Sequence, residues 1–374
     1  MGTLVKQIGI ITWRGWGNFG TSLQSFSLHK KLIDLGYNVY LVEQFSESSS
    51  LKKYVLRVIK SIYFLLGIDV VKNYQKQNYY NFKKFNNRNY NVCSVLTRRD
   101  YKALLSNTDV FITGSDQIWN AWHNYNPFYF LDFAKDKKRV AYASSIGTAE
   151  FPKSYVDEIK EHLGQFKYIG VRERSAVDYL KNLLNRNDIL EVLDPTFLLT
   201  YEEWQEVVCD NVPRSIALDE PYILCYLIGQ NQEYIKQLEE VKKTIGIKHI
   251  IIVPAFENPN IIFKGASIVK NIGPKEFVWL IMNASYVCTD SFHATALSIN
   301  FSKDFVEFLR FSDCDIKSQN SRIYDLLNHY SLSYKIYSVN NSDWTNSIDY
   351  TKVQKSLASD RNDSLTFLIN AIEY

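Results

Sequence analysis

QIGIITWRGWGNFGTSLQSFSLHKKLIDLGYNVYLVEQF, residues 7–45, contains one complete supersecondary unit. QIGIIT has the apolar composition of a strand, and the glycine-rich turn WRGWGNFGTS follows it. LQSFSLHKKLIDLGY places apolar residues at Leu23, Phe26, Leu32 and Leu35, a helical spacing, and NVYLVEQF reads as a second strand. A strand–helix–strand unit implies parallel pairing and a right-handed crossover. In the turn, Gly15, Gly17 and Gly20 permit close backbone approach, and Thr21 and Ser22 stand where the helix would begin. Gly17, Asn18, Gly20 and Thr21 therefore form a candidate cradle for an anion or an acceptor. The pattern is neither GxGxxG nor Walker A, and a structural tight turn explains the glycines as well.

The same alternation continues along the chain. DVFITGSDQIWN, RVAYASSIG, YIGVRERSAVDYLKNL and ILEVLDPTFLL complete a first half. After a proline-containing polar stretch, YILCYLIG, IKHIIIVPAF, SYVCTD and DFVEFL supply the strands of a second half, with helical segments between them. The expected fold class is α/β, with two Rossmann-like doubly wound domains facing across a cleft. Residues 1–200 form the first domain, with a basic aromatic helical insert at about 51–91; 215–345 form the second; 346–374 form a helix packing back on the first. Ligands in such sheets bind outside the carboxyl ends of strands.

Bulk properties narrow the class. A chain of 374 residues exceeds one ordinary core. Net charge of +3 carries no polyanion signature, so no nucleic-acid partner is expected. Cys93, Cys209, Cys225, Cys288 and Cys314 show no metal spacing, and their scatter fits a reducing cytoplasm. The N-terminal apolar run leads directly into the glycine turn and reads as a strand rather than a signal peptide. No apolar run reaches the roughly 20 residues of a membrane span. Residues 51–91 carry nine Lys or Arg against the single acid Asp69, interleaved with aromatics. That segment reads either as a solvated cap on the core or as a basic amphipathic surface for an anionic membrane.

Several strand ends carry chemistry. In FITGSDQIWN, Gly114 and Ser115 suit an anion, while Asp116, Gln117 and Trp119 are the residue types that hold a sugar; Asp116 as a plain helix cap is the alternative. GVRERS places Arg172, Glu173 and Arg174 between strand and helix, where one Arg would form a surface pair with Glu173 and the other fork onto an anion. Asp194 in LDPTF is a turn signature. Lys275 follows Pro274 at a helix start, where a cation is disfavoured unless an anion is near. Arg322 in SRIYDLL opens a helix, and taken alone an ordinary exposed role is its simpler reading. CTDSFHATALS puts His293 in the first turn of a helix after a strand; a buried structural imidazole is its simple reading. No HExxH occurs, and no metal and no cofactor is expected.

Taken in order, six of these segments resemble the polysaccharide pyruvyl transferase family: residues 17–24, 114–119, 143–147, 172–173, 194–195 and 290–293. The resemblance spans about residues 5–330. It implies two Rossmann-like halves of the GT-B kind and transfer of the carboxyvinyl unit of phosphoenolpyruvate to sugar hydroxyls. The product is a pyruvate ketal, and phosphate is released. Better-understood relatives carry Arg two residues before the final His, where this chain has Ser291. The donor's charge would then be met by Arg172, Lys275 or Arg322, with Ser291, Ser145 and Gly147 lining its site. His293 would act as acid or phosphate ligand, and Asp116 as base or sugar ligand. Gly17, Asn18, Gly20, Thr21, Gly114, Ser115, Gln117 and Trp119 would form the acceptor or anion cradle. The implied acceptor is a lipid-linked oligosaccharide at the inner face of a bacterial cytoplasmic membrane, during capsule or exopolysaccharide assembly. Two other readings stay open. One is a GT-B nucleotide-sugar glycosyltransferase using Glu276 on the ribose, and the other is a non-catalytic glycan-binding protein.

Overall fold

Parallel pairing of Gln7–Ile11 (β1) with Asn38–Val42 (β2) realises the unit expected from residues 7–45, with Ile8 opposite Val39. The computed structural model describes residues 5–15, 17–45, 73–208, 220–315 and 317–374. The segment 51–72 of the basic block and residues 209–219 of the interdomain stretch lie outside the described residues.

Five further strands complete the first sheet: Val92–Cys93 (β3), Val110–Thr113 (β4), Lys138–Ser144 (β5), Tyr168–Val171 (β6) and Leu190–Glu191 (β7). Their order is β3-β2-β1-β4-β5-β6-β7. The second sheet contains Tyr222–Tyr226 (β8), His249–Ile252 (β9), Ser267–Ile268 (β10), Tyr286–Thr289 (β11) and Phe305–Glu307 (β12), ordered β10-β9-β8-β11-β12. Every pairing between these strands is parallel. Strands covered by helices on both faces must be apolar throughout, and VFIT of β4 and YILCY of β8 are buried at every position. Cys225 and Cys288 are buried members of these strands, as their apolar settings implied.

In both sheets the chain reverses direction beside the first strand, between β1 and β4 and between β8 and β11. Those switch points open crevices at the carboxyl ends of the strands. The glycine turn and residues 114–117 leave the first crevice, and residues 290–293 leave the second. The first helix, Phe19–Asp34, begins nearer the strand than the apolar spacing suggested, because Asn18 caps it by accepting from Thr21 N at 3.1 Å. That shorter turn puts Phe19 at the domain boundary. Its ring stacks on Phe277 with centroids 4.4 Å apart and also meets Tyr226 and Phe82.

The last helix, Tyr350–Glu373, touches both halves. Ser364 Oγ accepts from Leu193 N at 2.9 Å, and Gln354 Nε2 donates to Ile299 O at 2.8 Å. The helix Asn73–Asn89, at the end of the basic block, buries Phe82 and Phe85 while Lys84 and Arg88 stay exposed.

Phe19→Ala is expected to cost about 3–5 kcal/mol, the usual price of deleting a buried aromatic. The check is the urea midpoint, which should fall. An unchanged midpoint would mean that the aromatic stack does not hold the halves together.

Candidate functional site

Asp194 follows β7 and opens the short turn Pro195–Phe197. Its Oδ1 accepts from Thr196 N at 3.0 Å and from Thr196 Oγ1 at 2.8 Å, which is the turn role expected of Asp-Pro. Its Oδ2 does something else. It accepts from Ser115 Oγ at 3.1 Å and from Arg172 Nη1 at 3.1 Å, and it lies 3.5 Å from His293 Nε2. The carboxylate therefore joins the ends of three first-sheet strands to the helix Phe292–Asn300 of the second half. Burial pushes its pKa up, but the His293 imidazole and the Arg172 guanidinium outweigh that and hold it well below the usual carboxylate range.

His293 is packed as well as paired. A Cβ on Gly20 would fall 2.2 Å from His293 Nδ1, so only glycine lets the first helix of one half meet the imidazole of the other. Ser291 precedes this helix, and its backbone carbonyl accepts from Thr295 Oγ1.

Arg172 is buried, with Nε on Glu173 at 2.8 Å and Nη1 on Asp194, while Nη2 has no hydrogen-bond partner. The pair expected between Glu173 and one of its two arginine neighbours forms with Arg172, and it is an interior pair rather than a surface one, because β6 delivers both residues to the cleft floor. Arg174 is the exposed arginine, 3.7 Å from Asp178. Phe292 lies against Arg172, whose guanidinium carbon is 4.1 Å from the ring centroid. Arg322, expected to be ordinary, is buried on the helix Ser321–His329, 6.0 Å from the same centroid. Its hydrogen bonds go to Gln319 O at 3.2 Å and Gln319 Oε1 at 2.9 Å, both neutral. Burial, then Arg172, then Arg310 depress its pKa to about 9. Arg310 itself donates to Asp290 O at 2.8 Å. A cavity of about 130 Å³ opens beside this cluster, its wall holding Arg172, Phe292, Arg322 and His329 together with the acids Glu191, Asp194, Asp360 and Asp363.

The segment after β4 supplies the neighbouring wall. Gly114, with φ of 123°, is joined to Ser115 by a cis peptide, and Asp116 has a left-handed φ of 68°. Asp116 is not a helix cap. Its Oδ2 accepts from Thr21 Oγ1 at 2.6 Å and its Oδ1 from Gln117 N at 2.9 Å. Gln24 braces this turn, accepting from Ser115 N at 3.1 Å. Gln117 Nε2 donates to Gln319 Oε1 at 3.0 Å, linking the acidic turn to the Arg322 helix. Ser145 Oγ accepts from Gly147 N, and Gly147, with φ of 73°, lies against Gln117 and Asn120. Gly17 faces Phe256 across the cleft.

Three expected site residues sit elsewhere. Trp119 is fully buried, stacked on Phe130 with centroids 5.5 Å apart and donating to Tyr129 O at 3.0 Å; its ring belongs to the first-domain core and offers no face to a sugar. Lys275 lines a separate groove with Lys84 and Arg88. Glu276 lies in that same groove and caps its own helix by accepting from Gly273 N at 3.0 Å. Asp194, Arg310, Gln24 and Gln319 join the site without having been marked as ligand residues. Among the described residues, no cluster of His, Cys, Asp and Glu is arranged to hold a metal.

A family model described as polysaccharide pyruvyl transferase matches residues 18–313. Comparison with curated proteins found no match. Among solved structures, the UDP-GlcNAc 2-epimerase of Neisseria meningitidis bound to UDP-GlcNAc is 10% identical with a TM-score of 0.50; the alignment covers 98% of this chain and 94% of that one. MnaA of S. aureus, in a co-structure with UDP, is 11% identical with a TM-score of 0.52, covering 97% and 89%. At such identities the likeness shows the fold alone, a GT-B-like pair of parallel α/β domains.

Asp194→Asn is expected to destabilise the protein by about 3–5 kcal/mol at neutral pH, because Arg172 loses a buried counter-charge. A depressed carboxyl stabilises the folded state above its unfolded pKa of about 3.9, and that contribution is lost as pH falls through the folded value. Urea midpoints of wild type and variant should therefore differ most near neutrality and converge in acid. A gap that does not change with pH would contradict the ion pair.

Proposed function

The chain belongs to the polysaccharide pyruvyl transferase family, and on that footing we propose that its donor is phosphoenolpyruvate, gripped by the guanidinium cluster of Arg172, Arg310 and Arg322. One observation carries this reading. Arg322 is a buried cation whose hydrogen bonds end on neutral oxygens, beside two further guanidiniums that lower its pKa. Glu173 and Asp116 offset part of this charge at a distance, but a buried guanidinium without a bonded carboxylate is costly, and an anionic ligand relieves it. Phosphoenolpyruvate brings a carboxylate and a phosphate, both suited to arginine forks.

The reaction has a defined proton balance. A proton adds to the methylene carbon and positive charge develops at the central carbon. One sugar hydroxyl adds there, a second displaces the phosphate, and the two hydroxyl protons end on the methyl group and the departing phosphate. His293, whose Nε2 faces Asp194, is suited to carry a proton to the leaving phosphate. Asp116, whose oxygens accept from Thr21 Oγ1 and Gln117 N, would orient or deprotonate the acceptor hydroxyl on this reading. Ser291, Ser145, Gly147 and the Gly17–Thr21 turn would frame the two substrates. Arg172 acts mainly by holding Asp194 and Glu173, leaving Nη2 for the donor.

The acceptor on this reading is a lipid-linked saccharide handled at the inner face of a cytoplasmic membrane. No helix among the described residues is long and apolar enough to cross a membrane. Lys84, Arg88 and Lys275 line one groove, a basic surface suited to anionic lipid. The nucleotide-sugar alternative relied on Glu276, and that carboxylate is engaged in capping its helix.

Calorimetry should detect phosphoenolpyruvate binding to wild type, and Arg322→Gln should weaken it by at least about tenfold, the scale of a lost charged hydrogen bond. Binding of a UDP-sugar with no response to phosphoenolpyruvate would overturn the donor assignment. In a second test, the double variant Lys84→Glu, Arg88→Glu should lose salt-sensitive sedimentation with phosphatidylglycerol vesicles. Equal sedimentation of variant and wild type would remove the membrane role from this groove.

A further inference from the structure

Glu307 ends β12, opposite Thr289 of β11, at the carboxyl edge of the second sheet. Its side chain is 1% exposed, so the carboxyl sits inside the protein directly beneath the cleft. Arg310 follows three residues later. Yet among the described residues Glu307 makes no ion pair, and its Oε1 has no hydrogen-bond partner. Its Oε2 contacts a single group, the Thr295 hydroxyl, on the helix that carries His293.

Thr295 Oγ1 donates to that oxygen, while the Ser291 carbonyl one turn earlier already accepts from the Thr295 backbone N–H at 3.0 Å. A carboxylate at this place would therefore be a buried charge resting on one hydroxyl, with its other oxygen orphaned and no counter-ion at ion-pair distance, which is costly. A neutral carboxylic acid avoids that cost.

We propose that Glu307 is held as a neutral, protonated carboxylic acid under the guanidinium cluster, as a positioning residue that keeps Arg310 and Arg322 available to an anionic ligand. The groups facing it are Thr295 and Asp290, the arginines Arg310 and Arg322, and Tyr234 on the helix Tyr234–Ile245. Asp290 is the only carboxylate among these facing groups, and it engages Arg310 through its backbone oxygen and its side chain. If Glu307 ionised, a second negative charge would act on the arginines and compete with the substrate for them. Burial first, and then the nearby Asp290 charge, push the Glu307 carboxyl well above its ordinary range, while Thr295, Arg310 and Arg322 act in the other direction. The sign follows. Anion affinity is full while Glu307 keeps its proton and declines as rising pH removes it.

This inference rests on the donor site proposed above, so the test has one arm independent of it. Infrared difference spectroscopy between wild type and Glu307→Gln, near pH 7, should show the carbonyl stretch of a protonated carboxylic acid in wild type that the variant lacks. Glutamine copies the neutral acid in shape, so the variant is expected to fold. In the second arm, the dissociation constant of phosphoenolpyruvate is measured at about pH 7 and about pH 9, a window above the ordinary carboxyl range. Wild type should weaken by about tenfold more across it than Glu307→Gln, in which the arginines alone titrate. Absence of the protonated-carboxyl band, or equal pH dependence in both proteins, would overturn the proposal. If wild type does not bind phosphoenolpyruvate at all, the donor assignment fails and the infrared arm decides Glu307 by itself.

Discussion

One buried carboxylate organises this protein. Asp194 receives Ser115 from the end of β4, Arg172 from the end of β6 and the imidazole of His293 from the other domain. Each partner is also held elsewhere. Ser115 N donates to Gln24, Arg172 donates to Glu173, and His293 is wedged against Gly20. A charge this deeply buried is tolerated only because its oxygens are fully used, and the same contacts fix where the two sheets meet. The cleft is therefore preformed, and its chemistry stands on elements that packing holds rigid.

Charge is distributed unevenly around that point. Arg172 is balanced by Asp194 and Glu173, and Arg310 by Asp290. Arg322 alone of the three ends on neutral amide oxygens. Glu191, Asp194, Asp360 and Asp363 share the cavity with Arg322 without bonding to it, so on the proposed reading its guanidinium stays free to take an anion. On the account proposed here, the donor is that anion and the acceptor lies toward Asp116 and Thr21. Serine at position 291, where relatives carry arginine, is then compensated by guanidiniums from Arg310 and Arg322 rather than from the His293 helix itself.

Much of the architecture was legible in sequence. The strand–turn–helix–strand of residues 7–45 and the continued alternation of strands with helices announced parallel sheets, because parallel neighbours need a crossover between them. Val92–Cys93 and Ser267–Ile268 were not, since two residues carry no periodicity. The candidate site was only half legible. DSFH and GSDQ marked His293 and Asp116 from local context, and Asp-Pro disclosed the turn role of Asp194. Its other role depends on Ser115, 79 residues away, which no local pattern reports. Trp119 misled for the opposite reason: beside Asp116 and Gln117 it looked like a sugar platform, but the turn after β4 sends it into the core. Arg310 and Glu307 lay inside DFVEFLRF, where hydrophobic neighbours concealed two charged residues bound for the cleft.

The most direct measurement is a crystal structure of the protein soaked with phosphoenolpyruvate. The account predicts the ligand's carboxylate or phosphate within hydrogen-bond reach of Arg322 and of Arg172 Nη2, on the Phe292 side of the cleft. Ligand density elsewhere, in the Lys275 groove for example, with Arg322 still bonded only to Gln319, would contradict it.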